Sequence, residues 1–204
     1  MSDAPRKRGR PASIDTEGAA QSLVEVFRAK GFAAASLDDL SDATGLSRPS
    51  LYRAFGDKLS MYMVAIDAFT RDAGTTALPA LNDPEDLEAG LAGFYAAMLD
   101  IYFRDPDMAA GCLVFGTAPS SAEEKPIQDR LNDGIDQLDE LMRARIVRNY
   151  PDAPAERLDI AMHIASNTLI AFSARAKSGV TKSALRKMGA QTAGVIKALF
   201  EGDT

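Results

Sequence analysis

Residues 36–58, SLDDLSDATGLSRPSLYRAFGDK, read as two short helices joined by a glycine turn. Ser36 precedes an apolar-periodic run and has Asp39 three residues on, the pattern of a capping box. Leu40 and Ala43 fall on one face of the helix that follows. Gly45 can adopt positive φ and stop that helix at little steric cost. Ser47 is placed to cap the next helix, and Pro49 lies in its first turn, where a missing N–H does little harm. Leu51 and Phe55, four apart, share an inward face, while Arg48, Ser50, Tyr52 and Arg53 lie off it. Gly56 ends this helix and Asp57 caps the next. Two helices joined in this way form a helix-turn-helix, whose second helix enters a major groove N-terminus first. Arginine there can take guanine O6 and N7 bidentately, serine, tyrosine and lysine anchor phosphates, and the helix N-terminus itself favours a phosphate.

Charge distribution agrees with a nucleic-acid contact at this end of the chain. The net charge of −6 argues against such a partner at first sight. Yet residues 1–58 hold nine Lys/Arg and eight Asp/Glu, net +1, and residues 59–204 hold fourteen and twenty-one, net −7. The acidic excess lies outside the proposed DNA-binding part, where it weakens non-specific binding and leaves affinity to a few aimed contacts. Residues 1–14 read as a basic, flexible arm. Arg6-Lys7-Arg8-Gly9-Arg10-Pro11 contains Arg-Gly-Arg-Pro, which resembles the core of AT-hook minor-groove binders. Glycine lets the backbone approach the groove floor, and Arg8 and Arg10 suit the strong negative potential of a narrow A·T-rich groove. Free in solution, such an arm is a disordered tail.

The rest of the chain shows no convincing strand alternation. The expected fold class is all-α: a three-helix DNA-binding domain over residues 15–60, then a larger helical domain over residues 61–204. A first helix runs from near Asp15 to Lys30, with Ala19, Ala20, Leu23, Val26 and Phe27 inward. Gly31 stops it in the left-handed region, and Phe32 packs back on Phe27. A longer helix follows from Lys58 to about Thr76, and Leu78 to Pro84 form a proline-bounded loop. Further helices are expected over about Glu85–Phe103, Asp107–Thr117, Ala122–Asn149, Ala155–Lys177 and Lys182–Phe200, with a break at Tyr150–Pro154. Small residues on the last two (Ala165, Ala174, Gly189, Ala193 among them) allow close helix approach, either to a partner subunit or within a monomer.

Residues 45–58, GLSRPSLYRAFGDK, resemble the recognition helix and following turn of the TetR family of transcriptional regulators. The resemblance extends upstream through Val26-Phe27, Lys30-Gly31-Phe32 and Ser36-Leu37, over roughly residues 15–66. It implies that Ser36, Ser47, Tyr52 and Lys58 hold phosphates, and that Arg48, Pro49, Ser50 and Arg53 face bases or the groove wall. It also implies a homodimer formed through the last two helices, and a small-molecule effector enclosed by helices four to eight. A two-fold dimer reads two half-sites, so its double-stranded DNA partner is a palindromic operator. The resulting expectation is a ligand-responsive regulator, a repressor released by its effector. An activator of the same fold, or a helical small-molecule-binding protein with a non-DNA role, stays open at this stage.

Candidate effector contacts are Phe94, Tyr95, Met98, Tyr102, Met108, Cys112, Phe115, Met142 and His163, an apolar set with some polar handles. For any one of them, ordinary core packing is the competing explanation. Cys112 also suggests thiol modification as an inducing signal, set against the apolar burial implied by Gly-Cys-Leu-Val-Phe. One histidine, one cysteine and no nucleophile–base spacing argue against an enzyme, so no catalytic residue, cofactor or metal site is expected. A single cysteine permits no intrachain disulfide. The absence of an apolar signal core or a membrane-length apolar run points to a cytoplasmic protein without a membrane partner.

Overall fold

A computed structural model describes residues 15–105 and 110–201, and among these residues every regular element is a helix. Helix α1 (Thr16–Ala34) starts at Asp15, whose Oδ1 accepts the Gly18 N–H at 3.0 Å. It runs past the expected stop. Gly31 interrupts it at φ 74, ψ 174, a conformation open mainly to glycine and distinct from the left-handed helical region, and one more turn follows. Phe32 does not fold back on Phe27. Both rings pack on Tyr62 instead, with centroids 5.1 and 5.3 Å away, because Tyr62 fills the space between them.

Helices α2 (Leu37–Thr44) and α3 (Arg48–Phe55) form the hairpin. The capping box is present in both directions: the Asp39 N–H donates to Ser36 Oγ at 3.1 Å, and the Ser36 N–H to Asp39 Oδ2 at 2.9 Å. Gly45 closes α2 at φ 66, ψ 10, in the left-handed region. Leu40 is fully buried, whereas Ala43, one turn on, is exposed at the hairpin's edge. Ser47 occupies the N-cap position of α3, but its hydroxyl makes no cap bond and lies 3.0 Å from Ser50 Oγ. Leu51 is fully buried and Phe55 half-buried.

Helix α4 (Lys58–Asn82) is capped by Asp57 and is six residues longer than its sequence pattern suggests. Pro79 sits inside it. The proline forfeits one backbone bond, yet Ala77 and Leu81 are buried on either side, and their packing holds the last turn in place. Arg145 completes that end: its Nε donates to the Leu81 carbonyl at 2.8 Å and its Nη2 to those of Pro84 and Asp86. Helix α5 (Leu87–Tyr102) follows. The sixth segment is shorter than expected. Its beginning at Asp107 lies outside the described residues, Gly111 takes φ 67, and helix α6 spans only Leu113–Thr117 before a 3-10 turn at Ala118–Ser121. Helix α7 (Lys125–Asn149) begins three residues late, with Pro126 in its first turn. Helices α8 (Ala155–Lys177) and α9 (Lys182–Glu201) follow the expected bounds closely.

One apolar core runs without a break from Leu23 and Leu51 through α4 and α5 to Ile196. Helix α1 packs on α2, α4 and α6, and α9 packs on α5 and α8. The boundary expected after residue 60 falls inside α4.

Arg28 makes the strongest polar link across this core. It is 2% exposed. Its Nη2 donates to the carbonyls of Ile101 (3.0 Å) and Gly111 (2.9 Å), and its Nε donates to Gly111 at 3.1 Å. Among the described residues, removing the guanidinium leaves the buried Gly111 carbonyl without a donor and the Ile101 carbonyl with backbone N–H groups alone, that of Arg104 at 3.3 Å. Arg28→Leu is therefore expected to cost about 2–4 kcal/mol in urea unfolding. A second expectation concerns acid. Bonds from Lys30 and from the Ser36 backbone and hydroxyl hold the Asp39 carboxyl at about 2, below its ordinary 3.8. A depressed value stabilises the fold above the ordinary pKa, and the gain disappears as pH falls through the folded value. Between pH 4 and 2, wild type should lose stability relative to Asp39→Asn, read by unfolding at stepped pH.

Candidate nucleic-acid interface and effector cavity

Helix α3 presents one face to solvent: Arg48, Pro49, Tyr52 and Arg53 are exposed and Ser50 is half-exposed. The buried side chain of Leu51 fixes the roll of the helix, so these groups point away from the core. Tyr52 is 47% exposed, unusual for so large a ring. Arg53 Nη2 donates to Ser50 Oγ at 3.3 Å, and Ser47 and Ser50 are linked through their hydroxyls. Arg48 is engaged differently. Its Nε donates to Asp38 Oδ1 at 2.9 Å and its Nη2 to the same oxygen, a link from α3 back to α2 that raises the guanidinium's pKa further. The sequence reading missed this pairing, because positions ten apart carry no local signal of contact.

Ser36 is exposed at the start of α2, with its hydroxyl oxygen occupied by the Asp39 N–H. Lys58 donates from Nζ to the Ala33 carbonyl at 3.2 Å and lies 4.8 Å over the Phe32 ring. It thereby ties the start of α4 to the end of α1. Lys30, also missed, bridges to Asp39 at 2.6 Å. Arg8 and Arg10 lie outside the described residues. Residues 15–58 hold five Lys/Arg and seven Asp/Glu, net −2, so the positive balance of this end of the chain resides in residues 1–14.

Behind the hairpin, α4, α5, α7 and α8 enclose with α6 a cavity of about 390 Å³. Four of the sequence candidates line it: Phe94, Met98, Cys112 and Phe115. The others do not. Tyr95 turns toward α8, where its hydroxyl donates to the Ala165 carbonyl at 2.9 Å and its ring meets Phe172 edge-on at 5.6 Å. Tyr102 is fully buried one turn beyond Met98, against the Cys112 side of the core, and does not line the cavity. Met142 is fully buried beside Leu141 but faces away from the cavity lining. His163 is exposed on α8, in a shallow groove shared with Asn167, Arg175 and Thr192. Met108 lies outside the described residues. Contributions from Phe69, Leu78, Leu138 and Leu169, and from the polar groups of Thr70, Arg130 and Gln137, went unread in the sequence, where each looks like routine helix patterning. Burial pushes the Cys112 thiol up, so at neutral pH it is a protonated, weakly nucleophilic wall of the cavity.

The outer face of α8 and α9 carries exposed Ile160 (47%) and Val195 (58%). Among the described residues no helix is long and apolar enough to cross a membrane, and no cluster of three His, Cys, Asp or Glu side chains is placed to hold a metal ion.

Comparison with known proteins gives the fold a context. Residues 22–62 match the bacterial regulatory proteins of the tetR family. The HTH-type transcriptional repressor ComR of Escherichia coli (strain K12) is 31% identical over 110 residues, covering 53% of this chain and 52% of that protein. The chain thus spans about half the length of ComR. The HTH-type transcriptional repressor BdcR of the same organism is 25% identical over 199 residues, 96% of each chain. Among solved structures, a cysteine-substituted form of the TetR family regulator CifR, complexed with double-strand operator DNA, superposes with a TM-score of 0.81 at 23% identity, covering 91% of this chain and 98% of that one. That likeness shows a common fold. The family is one of DNA-binding transcriptional regulators and not of enzymes. The hairpin's residues, the family match over residues 22–62 and the shared all-helical architecture together make this end of the chain similar to the tetR family of bacterial regulatory proteins.

Proposed function

We propose that this protein is a homodimeric, effector-responsive repressor that binds a palindromic operator through α3. The exposed face of α3, held in place by buried Leu51, is the observation that carries the reading. Ser50 and Arg53 face the bases or the groove wall beside Pro49. Ser36, Ser47, Tyr52 and Lys58 meet phosphates. Arg48 arrives already oriented by Asp38, so less of its side-chain entropy is lost on contact. Arg8 and Arg10 follow the adjacent minor groove and supply the positive charge that residues 15–58 lack. The repressor names of ComR and BdcR support the sign of regulation.

The apolar outer face of α8 and α9 forms the dimer contact. Ile160 and Val195 are the side chains it would cover, and two-fold pairing presents two copies of α3 to successive half-sites.

The effector acts through α6. Cys112, Val114 and Phe115 line the cavity, and their segment is bonded to both flanking helices. Arg28 holds Gly111 from α1, and the Tyr62 hydroxyl on α4 meets Thr117 Oγ1 at 2.7 Å. A ligand that prefers a shifted α6 therefore also favours a shifted α1 and α4, and with them a different placement of α3. A hundredfold loss of operator affinity needs about 2.7 kcal/mol of such coupling.

Binding to DNA flanking the gene itself, followed by fluorescence anisotropy, tests the interface. Arg53→Ala should weaken binding by about 1–3 kcal/mol and relax preference at one base pair. Arg48→Ala should lose its contact and also bare the Asp38 charge, so adding Asp38→Asn should recover part of the loss. A uniform loss across all sequences would reassign either arginine to phosphate, and no loss from either would refute the interface. Deleting residues 1–11, which carry four positive side chains, should lower the salt slope of binding by about three to four units. An unchanged slope would show the arm to be idle.

A further inference from the structure

Resting on the cavity's role as the effector site, we propose that its ligand is a small amphiphilic monoanion, with an apolar chain inside and a carboxylate at Arg130. Among the described residues the inner wall offers a ligand no hydrogen-bonding side chain beyond a thiol: Phe69, Phe94, Met98, Val114, Leu138 and Leu169 supply hydrocarbon, rings and one thioether. A polar body there would lose its bonds to water without replacement.

The polar lining groups belong to α4 and α7 and lie toward solvent. Thr70 and Gln137 are exposed, and Arg130 is partly exposed. Arg130, Gly134, Leu138 and Leu141 recur along one face of α7, which places the guanidinium at one end of an apolar stripe. Gly134 keeps the stripe open, since a Cβ there would come within 3.2 Å of Val114.

Among the described residues Arg130 is the one charged group in the lining, and none of their carboxylates lines the cavity. Its Nη2 donates to Asp67 at 2.7 Å, and Asp67 stands 60% exposed outside the cavity. The Nε and Nη1 donors have no partner among the described residues. A cation at the mouth would be repelled by the guanidinium, and a neutral head would use its donors weakly. A carboxylate takes them in charge-assisted bonds. The volume of about 390 Å³ is near the low end for small-molecule sites, which suits a chain of roughly ten carbons.

Three probes sharing one tail test this: decanoate, decanol and decyltrimethylammonium, titrated calorimetrically into the full chain without DNA. Decanoate should bind about tenfold more tightly than either of the others, and Arg130→Gln should bring decanoate to within about twofold of decanol while leaving decanol unchanged. Gly74→Leu, where a Cβ has room at 3.8 Å from Leu78, should weaken all three by narrowing the cavity. Equal binding of the three, a preference for the ammonium, an unaltered preference in a folded Arg130→Gln variant, or binding of none of them would each overturn the assignment. Operator binding measured alongside separates the two readings. Decanoate that binds through Arg130 without releasing DNA upholds the ligand class and refutes the effector role.

Discussion

Arg28 is the constraint on which the arrangement of this protein depends. A guanidinium that is 2% exposed is tolerated only when its donors are matched, and here they meet the Gly111 and Ile101 carbonyls together with the edge of Glu25. Ile101 lies in the last turn of α5, where unpaired carbonyls and the negative end of the helix dipole favour a cation. The Phe69 ring lies 5.5 Å from the guanidinium carbon and covers it. Helix α1 thus carries its own link to the rest of the molecule.

The short α6 segment gathers these links. The Cys112 N–H donates to Ser173 Oγ at 3.0 Å, and Lys177 Nζ donates to the Gly116 carbonyl at 3.0 Å, so α8 grips the segment from the side opposite Arg28 and Tyr62. The approach is close enough to exclude a side chain. A Cβ on Gly111 would lie 2.9 Å from Ser173, and Gly111 already sits at φ 67. A segment held by α1, α4 and α8 while forming one wall of a cavity moves only if its neighbours move. On the proposed reading, this is how an occupied cavity would be coupled to α3.

Much of the hairpin was legible because its signals are local. The capping box at Ser36 and Asp39, the glycine at position 45, the proline in the first turn of α3 and the spacing of Leu51 and Phe55 each act within a few residues. The bounds of α8 and α9 were legible for the same reason. Where tertiary contact overrides local preference, the reading failed. Pro79 looks like a helix end, but buried Leu81 and the Arg145 guanidinium carry α4 past it. Phe32 looks like a partner for Phe27 until Tyr62, thirty residues away, comes between them. The cavity was half legible. Phe94 and Met98 were found from their stripe on α5, but the stripe does not distinguish the side facing α8, where Tyr95 goes, from the side facing open space. Arg28 was invisible, since nothing in its neighbours announces the Ile101 and Gly111 carbonyls from distant parts of the chain.

On the proposed reading, electrostatics divides the DNA-binding work between two parts of the chain. Within α2 and α3, carboxylates neutralise Arg48 and meet Lys30 through Asp39, which limits non-specific attraction and leaves recognition to side chains already in position. On that reading the remaining attraction is assigned to the residues before position 15, which hold four Lys/Arg and one Asp. The most direct test of α3 as a DNA-reading surface is unbiased selection of random duplexes by the purified chain at two salt concentrations. An inverted repeat, enriched by wild type and bound less tightly as salt rises, is the expected outcome. Recovery of no inverted repeat, or of the same sequences with an α3 face stripped of Ser50, Tyr52 and Arg53, would contradict it.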